Sequence, residues 1–183
     1  MYLPIPTYIY YMRENNIFSL HIFLQNSKLN LKSLDRMPYL RAVLKETLRT
    51  NPPALANARI IKESLEIGGY TMPKDTVYVL MHYWMANSSK YIENPKAFKP
   101  ERWLRGSEKN NSIHPFMMLP FGHGPRMCIG RRFAEQEMSI FIAKILQRFK
   151  IEWHHEDIKV KCETLLRPSS PLKFKFVDRS ITN

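Results

Sequence analysis

Cysteine is scarce. The 183 residues carry two, Cys128 and Cys162, too few for a disulfide framework, and with no secretion signal they read as reduced thiols inside a cell. A long apolar run is also lacking. Residues 1–26 are apolar and aromatic, but Pro4, Pro6 and the polar stretch 13–16 interrupt them, so they fall short of the roughly 18 consecutive apolar residues of a membrane span. They also lack the arginine- and serine-rich look of a transit peptide. Targeting is therefore not legible, and no internal repeat or low-complexity segment appears. Acidic residues are short as well: 16 against 28 Lys and Arg, a formal charge of +12. That excess favours acidic partners, whether nucleic acid, anionic membrane or acidic protein, without choosing among them. What is there, 44% hydrophobic residues with 24% charged, argues against disorder and for one core of sizeable volume in one domain.

Residues 1–27 are left unassigned. Beyond them Leu40, Val43, Leu44, Thr47 and Leu48 recur at helical spacing until Asn51-Pro52-Pro53 stops the helix. Strand-like pieces follow at residues 58–61, 64–67 and 76–81, separated by Gly68-Gly69 and Pro73-Lys74-Asp75 turns. Residues 82–87 suit a short helix. Residues 90–125 show little periodicity and contain Pro95, Pro100, Pro115, Pro120 and Pro125; irregular segments of that length inside a compact domain are usually functional. Residues 131–149 read as the longest helix, with Ala134, Met138, Phe141, Ile142, Ile145 and Phe149 on one face. Leu172, Phe174 and Phe176 alternate as in a strand. The expected class is α+β, mainly α with small β-sheets.

Residues 121–130 (Phe-Gly-His-Gly-Pro-Arg-Met-Cys-Ile-Gly) hold the densest chemistry. They form a turn-rich loop that delivers Cys128 to the start of a helix, where backbone N–H groups and the positive helix end favour a thiolate. Gly124 and Gly130 permit positive φ and close backbone approach, and Arg126 supplies a cation two residues from the sulfur. A metal-binding thiolate fits this setting. A small buried Cys ahead of a core helix fits it equally on physics alone. A zinc site of His114, His123 and Cys128 is weaker, having no paired ligand spacing and no evident fourth ligand.

Phe121, Gly124, Arg126, Cys128 and Gly130 match the pattern Phe-x-x-Gly-x-Arg-x-Cys-x-Gly. Glu46 and Arg49 match Glu-x-x-Arg, and Pro100-Glu101-Arg102 matches Pro-Glu-Arg, in the same order. On these three motifs the chain resembles the cytochromes P-450, haem-thiolate monooxygenases, over roughly residues 28–177. The resemblance implies the C-terminal portion of that fold, with residues 28–183 as an incomplete haem-binding part. It implies haem b (iron protoporphyrin IX) as cofactor and Cys128 as its axial iron ligand. Arg59, His123 and Arg126 become candidates for the haem propionates, Phe121 for shielding the sulfur, and Gly130 for close approach. A solvent-facing loop histidine is the plainer reading of His123.

Three apart on a helix, Glu46 and Arg49 can meet, and as an isolated surface pair they would count for little. The resemblance instead implies a buried network with Arg102 that holds the irregular segment over the proximal side of the haem. Arg41 and Lys45, with Arg131 and Arg132 just after the ligand, read individually as solvated surface charge. Together with the run from Cys128 to Met138 they resemble the mitochondrial class, which implies an acidic electron-transfer protein, a ferredoxin, as partner. It also implies the matrix side of the mitochondrial inner membrane, with the endoplasmic reticulum as the alternative. Membrane association is expected only through regions this chain lacks. The family's oxygen-activation helix has no counterpart in the sequence, so no catalytic residue is assigned. The expected activity is insertion of one oxygen atom from O2 into an apolar small molecule, with residues 54–58 and 164–167 lining its pocket. The alternative is a catalytically silent haem-binding or interaction module. Nucleic-acid binding is not expected, because the basic residues are not interleaved with aromatics as a stacking platform.

Overall fold

A computed structural model describes residues 2–3, 31–106 and 113–179. The helices are α1 (Leu31–Asp35), α2 (Pro38–Thr50), α3 (His82–Ala86) and α4 (Arg131–Arg148). The strands are β1 (Tyr2–Leu3), β2 (Asn57–Ile60), β3 (Leu65–Ile67), β4 (Tyr70–Met72), β5 (Val77–Leu80), β6 (Phe149–Glu152), β7 (Ile158–Cys162), β8 (Leu166–Pro168) and β9 (Lys175–Asp178). All pair antiparallel in four small sheets: β1-β7-β8, β2-β5, β3-β4 and β6-β9. This is a mixed α+β arrangement. Apart from β1, the unassigned residues 1–27 lie outside the described residues.

α2 is the centre of the packing. Pro38 opens it, where a missing N–H costs nothing. At its end Asn51 donates to the Thr47 carbonyl before Pro52 and Pro53 forbid another turn. Its Leu40 joins Met37, Ala143 and Leu146 in one apolar cluster against α4. Its Tyr39 and Val43 join Phe98 in a second, against the irregular segment. Each Leu, Met, Val or Phe among them contributes about 1.5–3 kcal/mol on burial. The irregular segment is folded by single helical turns at Pro100–Trp103, Pro115–Met117 and Gly124–Arg126, each carrying a proline in its first two positions. Pro100, Pro115 and Pro125, three of the five prolines that break periodicity here, start these turns.

Several expectations are corrected. Gly68 and Gly69 both have positive φ and link β3 to a strand, β4, that the sequence did not reveal. α4 buries Ala143 and Leu146, whereas Phe141 is 64% exposed; Phe149 belongs to β6. Apolar residues lie on several sides of α4, so period alone could not single out the buried side. In the tail, Leu172 and Phe174 precede β9, and only Phe176 of the three lies in the strand. Among the described residues no helix is long and apolar enough to cross a membrane.

Candidate functional site

The loop carrying Cys128 is closed on itself. Cys128 N–H donates to the Phe121 carbonyl at 2.8 Å, Met127 N–H to Gly124 at 2.9 Å, and Gly122 N–H to Leu119 at 2.9 Å. The Cys128 carbonyl then accepts from Arg131 N–H, at the first residue of α4. Gly122 and Gly124 both sit at φ +74°. Gly130 does not need positive φ: it caps α4 at φ −84°, and its importance is proximity, since a Cβ there would lie 4.0 Å from the Cys128 Sγ. Asn57, which the sequence did not flag, bonds the Leu119 carbonyl from β2 at 3.1 Å. A Cβ on the buried Gly122 would meet Asn57 Oδ1 at 3.4 Å and Arg59 Nη2 at 3.8 Å. β2 therefore braces the loop from one side and α4 from the other. No motif spacing could have announced Asn57, since its acceptor is a backbone carbonyl.

Cys128 is exposed and Phe121 is half-buried. Phe121 lies beneath Arg131, whose guanidinium carbon is 5.9 Å from the ring centroid. Apolar side chains stand open beside the sulfur in sequence: Met127 at 43%, Ile129 at 104% and, on the first turn of α4, Phe133 at 72% exposure. Arg126 is exposed, with no hydrogen-bond or ion-pair partner among the described residues, so protein contacts do not fix it. Arg59 projects from β2 toward Gly122 and donates to the Ala58 carbonyl. His123 is exposed and meets Phe116 edge-on at 4.8 Å. The zinc set is not assembled, for no three His, Cys, Asp or Glu side chains cluster among the described residues. Cys162 is exposed on β7.

Glu46, Arg49 and Arg102 are brought together and are 0%, 0% and 4% exposed. Arg49 grips the Glu46 carboxylate with two bonds of 2.9 Å. Arg102 Nε, Lys99 N–H and Trp103 Nε1 supply three more, at 3.1, 2.9 and 2.8 Å. The remaining guanidinium donors reach the carbonyls of Ala86, Ala97 and Glu93. Burial alone would raise the Glu46 pKa, but the Arg49 bond and charge, the Lys99 N–H and the Arg102 charge outweigh it and hold the carboxyl below its ordinary value. One anion thus pins α2 to the irregular segment. Trp103 and Lys99 were not foreseen; one contributes an indole N–H, the other only its backbone.

Arg41, Lys45 and Arg131 line one cleft of about 750 Å³, together with Trp103, Phe121 and His123. Arg132, though exposed, does not line it. The Lys45 ammonium sits 4.2 Å over the Trp103 ring, where desolvation and the Arg131 charge lower its pKa. Arg41 pairs with Asp35 and Arg131 with Glu135. Trp103 therefore touches both the buried network and the basic cleft.

Cys128 thus stands exposed on a loop closed by its own backbone bonds, and Glu46, Arg49 and Arg102 form a buried network of their own. The Cytochrome P450 family model matches residues 20–176, and the chain belongs to that family. It is 41% identical over 162 residues to probable cytochrome P450 49a1 of Drosophila melanogaster, covering 85% of this chain and 28% of that protein. It is 39% identical over 156 residues to cytochrome P450 10 of Lymnaea stagnalis, covering 84% and 29%. It is 38% identical over 152 residues to mitochondrial sterol 26-hydroxylase of Homo sapiens, covering 81% and 29%. The chain thus spans less than a third of the length of these relatives. Family members use haem iron. The residues present fit that group: an exposed thiol, apolar side chains open beside it, and the half-buried Arg59 with the exposed His123 and Arg126 as donors for carboxylates.

Proposed function

We propose that this chain, in residues 28–183, is the C-terminal, proximal part of a haem-thiolate monooxygenase that inserts one oxygen atom from O2 into an apolar organic molecule. The observation that carries this is the braced presentation of Cys128 on the closed 121–130 loop. Haem bound through a cysteine thiolate supplies O2 activation, because the thiolate's electron donation favours O–O cleavage. The chain's own residues bind and orient. Cys128 would hold the iron through its thiolate, and Arg59, His123 and Arg126 would donate to the propionates in charge-assisted bonds. Gly130 lets the backbone pass close to the sulfur. The Glu46–Arg49–Arg102 network keeps the irregular segment from shifting against α2, and with it the loop.

Electrons come from an acidic ferredoxin that docks over Arg41, Lys45, Arg131 and Arg132. The mitochondrial designation of relatives such as sterol 26-hydroxylase supports that class of partner and the matrix side of the inner membrane. Residues 54–58 and 164–167 face the substrate, and the sterol in that relative's name is of the apolar class expected. The test is turnover of the complete haem-loaded protein with ferredoxin and its reductase under isotopically labelled O2. One labelled oxygen per product supports the reading. Haem loading with no labelled product from a panel of apolar compounds would favour the silent module.

A further inference from the structure

His82 stands at the first residue of α3, 2% exposed, and takes no part in the network or the loop. One of its ring nitrogens bonds the Ala54 carbonyl, and its Nε2 has no partner among the described residues, so the donor is Nδ1–H. The two flanking carbonyls are held too: Leu55 accepts from Tyr83 N–H at 3.2 Å, and Pro53 from Leu166 N–H at 2.8 Å. Three successive carbonyls are thus gripped, two of them by the start of α3 and one by β8. The other end of α3 is tied to the buried network. Asn87 accepts from Arg49 Nη1 at 3.1 Å and donates to the Arg49 carbonyl at 3.0 Å. α3 is therefore a strut between the Glu46 network and residues 53–55. At the upper end of α3 the side chain of His82 and the backbone N–H of Tyr83 grip the segment.

We propose that His82 is a positioning residue: through Nδ1–H to the Ala54 carbonyl it sets where residues 54–58 lie, and so which substrate shapes fit beside them. This rests on the reading that those residues wall the substrate pocket. Ala54, Ala56 and Ala58 are small, so the wall follows the backbone, and the backbone follows its carbonyl bonds. An imidazole used only as filler would have no reason to leave one buried nitrogen bare while aiming the other at a carbonyl.

Two substitutions separate positioning from packing. In His82→Asn the side-chain amide falls where Nδ1 was and keeps the donor; in His82→Gln it falls near Nε2 and loses it, although Gln fills the volume better. On the complete haem-loaded protein, two quantities are read for each variant. One is amide hydrogen exchange at Tyr83 and Leu166. The other is the ratio of dissociation constants for 4-phenylimidazole and imidazole, which both bind iron through a ring nitrogen, so the ratio reports the pocket wall. One lost hydrogen bond corresponds to about a fivefold change in an equilibrium. We expect His82→Gln to speed exchange at Tyr83 and Leu166 and to shift the ratio by about that factor, and His82→Asn to leave both near the parent values. Equal behaviour of the two variants, or a better-behaved Gln, would overturn the proposal. A parent protein that binds no haem would overturn the functional reading instead, and the exchange comparison would still decide the role of His82.

Discussion

Replacing Glu46 by Gln should be among the most damaging conservative changes in this chain. The carboxylate accepts five hydrogen bonds, two from Arg49 and one each from Arg102, Lys99 N–H and Trp103. A Gln amide offers one oxygen and one NH2 group. Whichever way it is turned, the NH2 group meets donors, either Arg49 Nε and the Trp103 indole or the other three. Both guanidinium groups would also lose the carboxylate counter-charge they share while buried. Removing one partner of a buried ion pair costs about 3–5 kcal/mol, and one anion serving two cations places Glu46→Gln near the top of that range. With a urea dependence of about 2 kcal/mol per molar, the unfolding midpoint should fall by about 2 M. Urea titration followed by tryptophan fluorescence is a suitable assay, because Trp103 reports on the network directly. A loss below about 1 kcal/mol would refute the reasoning, since it would mean that the guanidinium groups find other partners at little cost.

Three further outcomes are expected. Gly122→Ala should cost about 1–2 kcal/mol for its left-handed backbone at φ +74°, whereas Gly130→Ala, at φ −84°, should cost less in stability; denaturant titration of both variants checks the order. Stability should fall with acid in two stages. Burial lowers the His82 pKa from its ordinary 6.5, so the unfolded chain takes up that proton first and stability declines as pH drops below 6.5. The depressed Glu46, ordinarily 4.5, adds a second decline below that value, and His82→Asn should remove only the first in a pH series of unfolding midpoints. Lys45→Glu, which reverses charge inside the cleft, should slow ferredoxin-supported reduction more than Arg132→Glu outside it. That difference should fade as salt shortens the screening length from about 10 Å; stopped-flow reduction at two ionic strengths measures it.

The legibility of the chain follows from where its information sits. Glu46 and Arg49 could be read because three-residue spacing on a helix forces proximity, and Arg102 because its motif came with them. Among their other partners, the carbonyls of Ala86, Glu93 and Ala97 are backbone atoms that any residue would offer, so no pattern marks them. Trp103 is one residue past a motif whose match did not include its indole. The ligand loop was legible in residue type but not in conformation: Gly122 was passed over while Gly130 was credited with a freedom it does not use. On α4, apolar residues on several sides leave period unable to say that Ala143 and Leu146 are inside while Phe133 and Phe141 are out. Phe133, Phe141, Ile140 and Ile145 line an open groove of about 620 Å³, and of these helical periodicity had grouped Phe141 and Ile145 on one apolar face. Strands of three residues, such as β4, are too short for alternation to declare itself.

The most direct measurement is the absorption spectrum of the haem-loaded, reduced, CO-bound protein, compared among the parent, Cys128→Ala and Cys162→Ala. Axial ligation by Cys128 predicts a thiolate-type spectrum in the parent and in Cys162→Ala, and its loss in Cys128→Ala. A Cys128→Ala protein that kept the thiolate-type spectrum would contradict the assignment of Cys128 as the iron ligand.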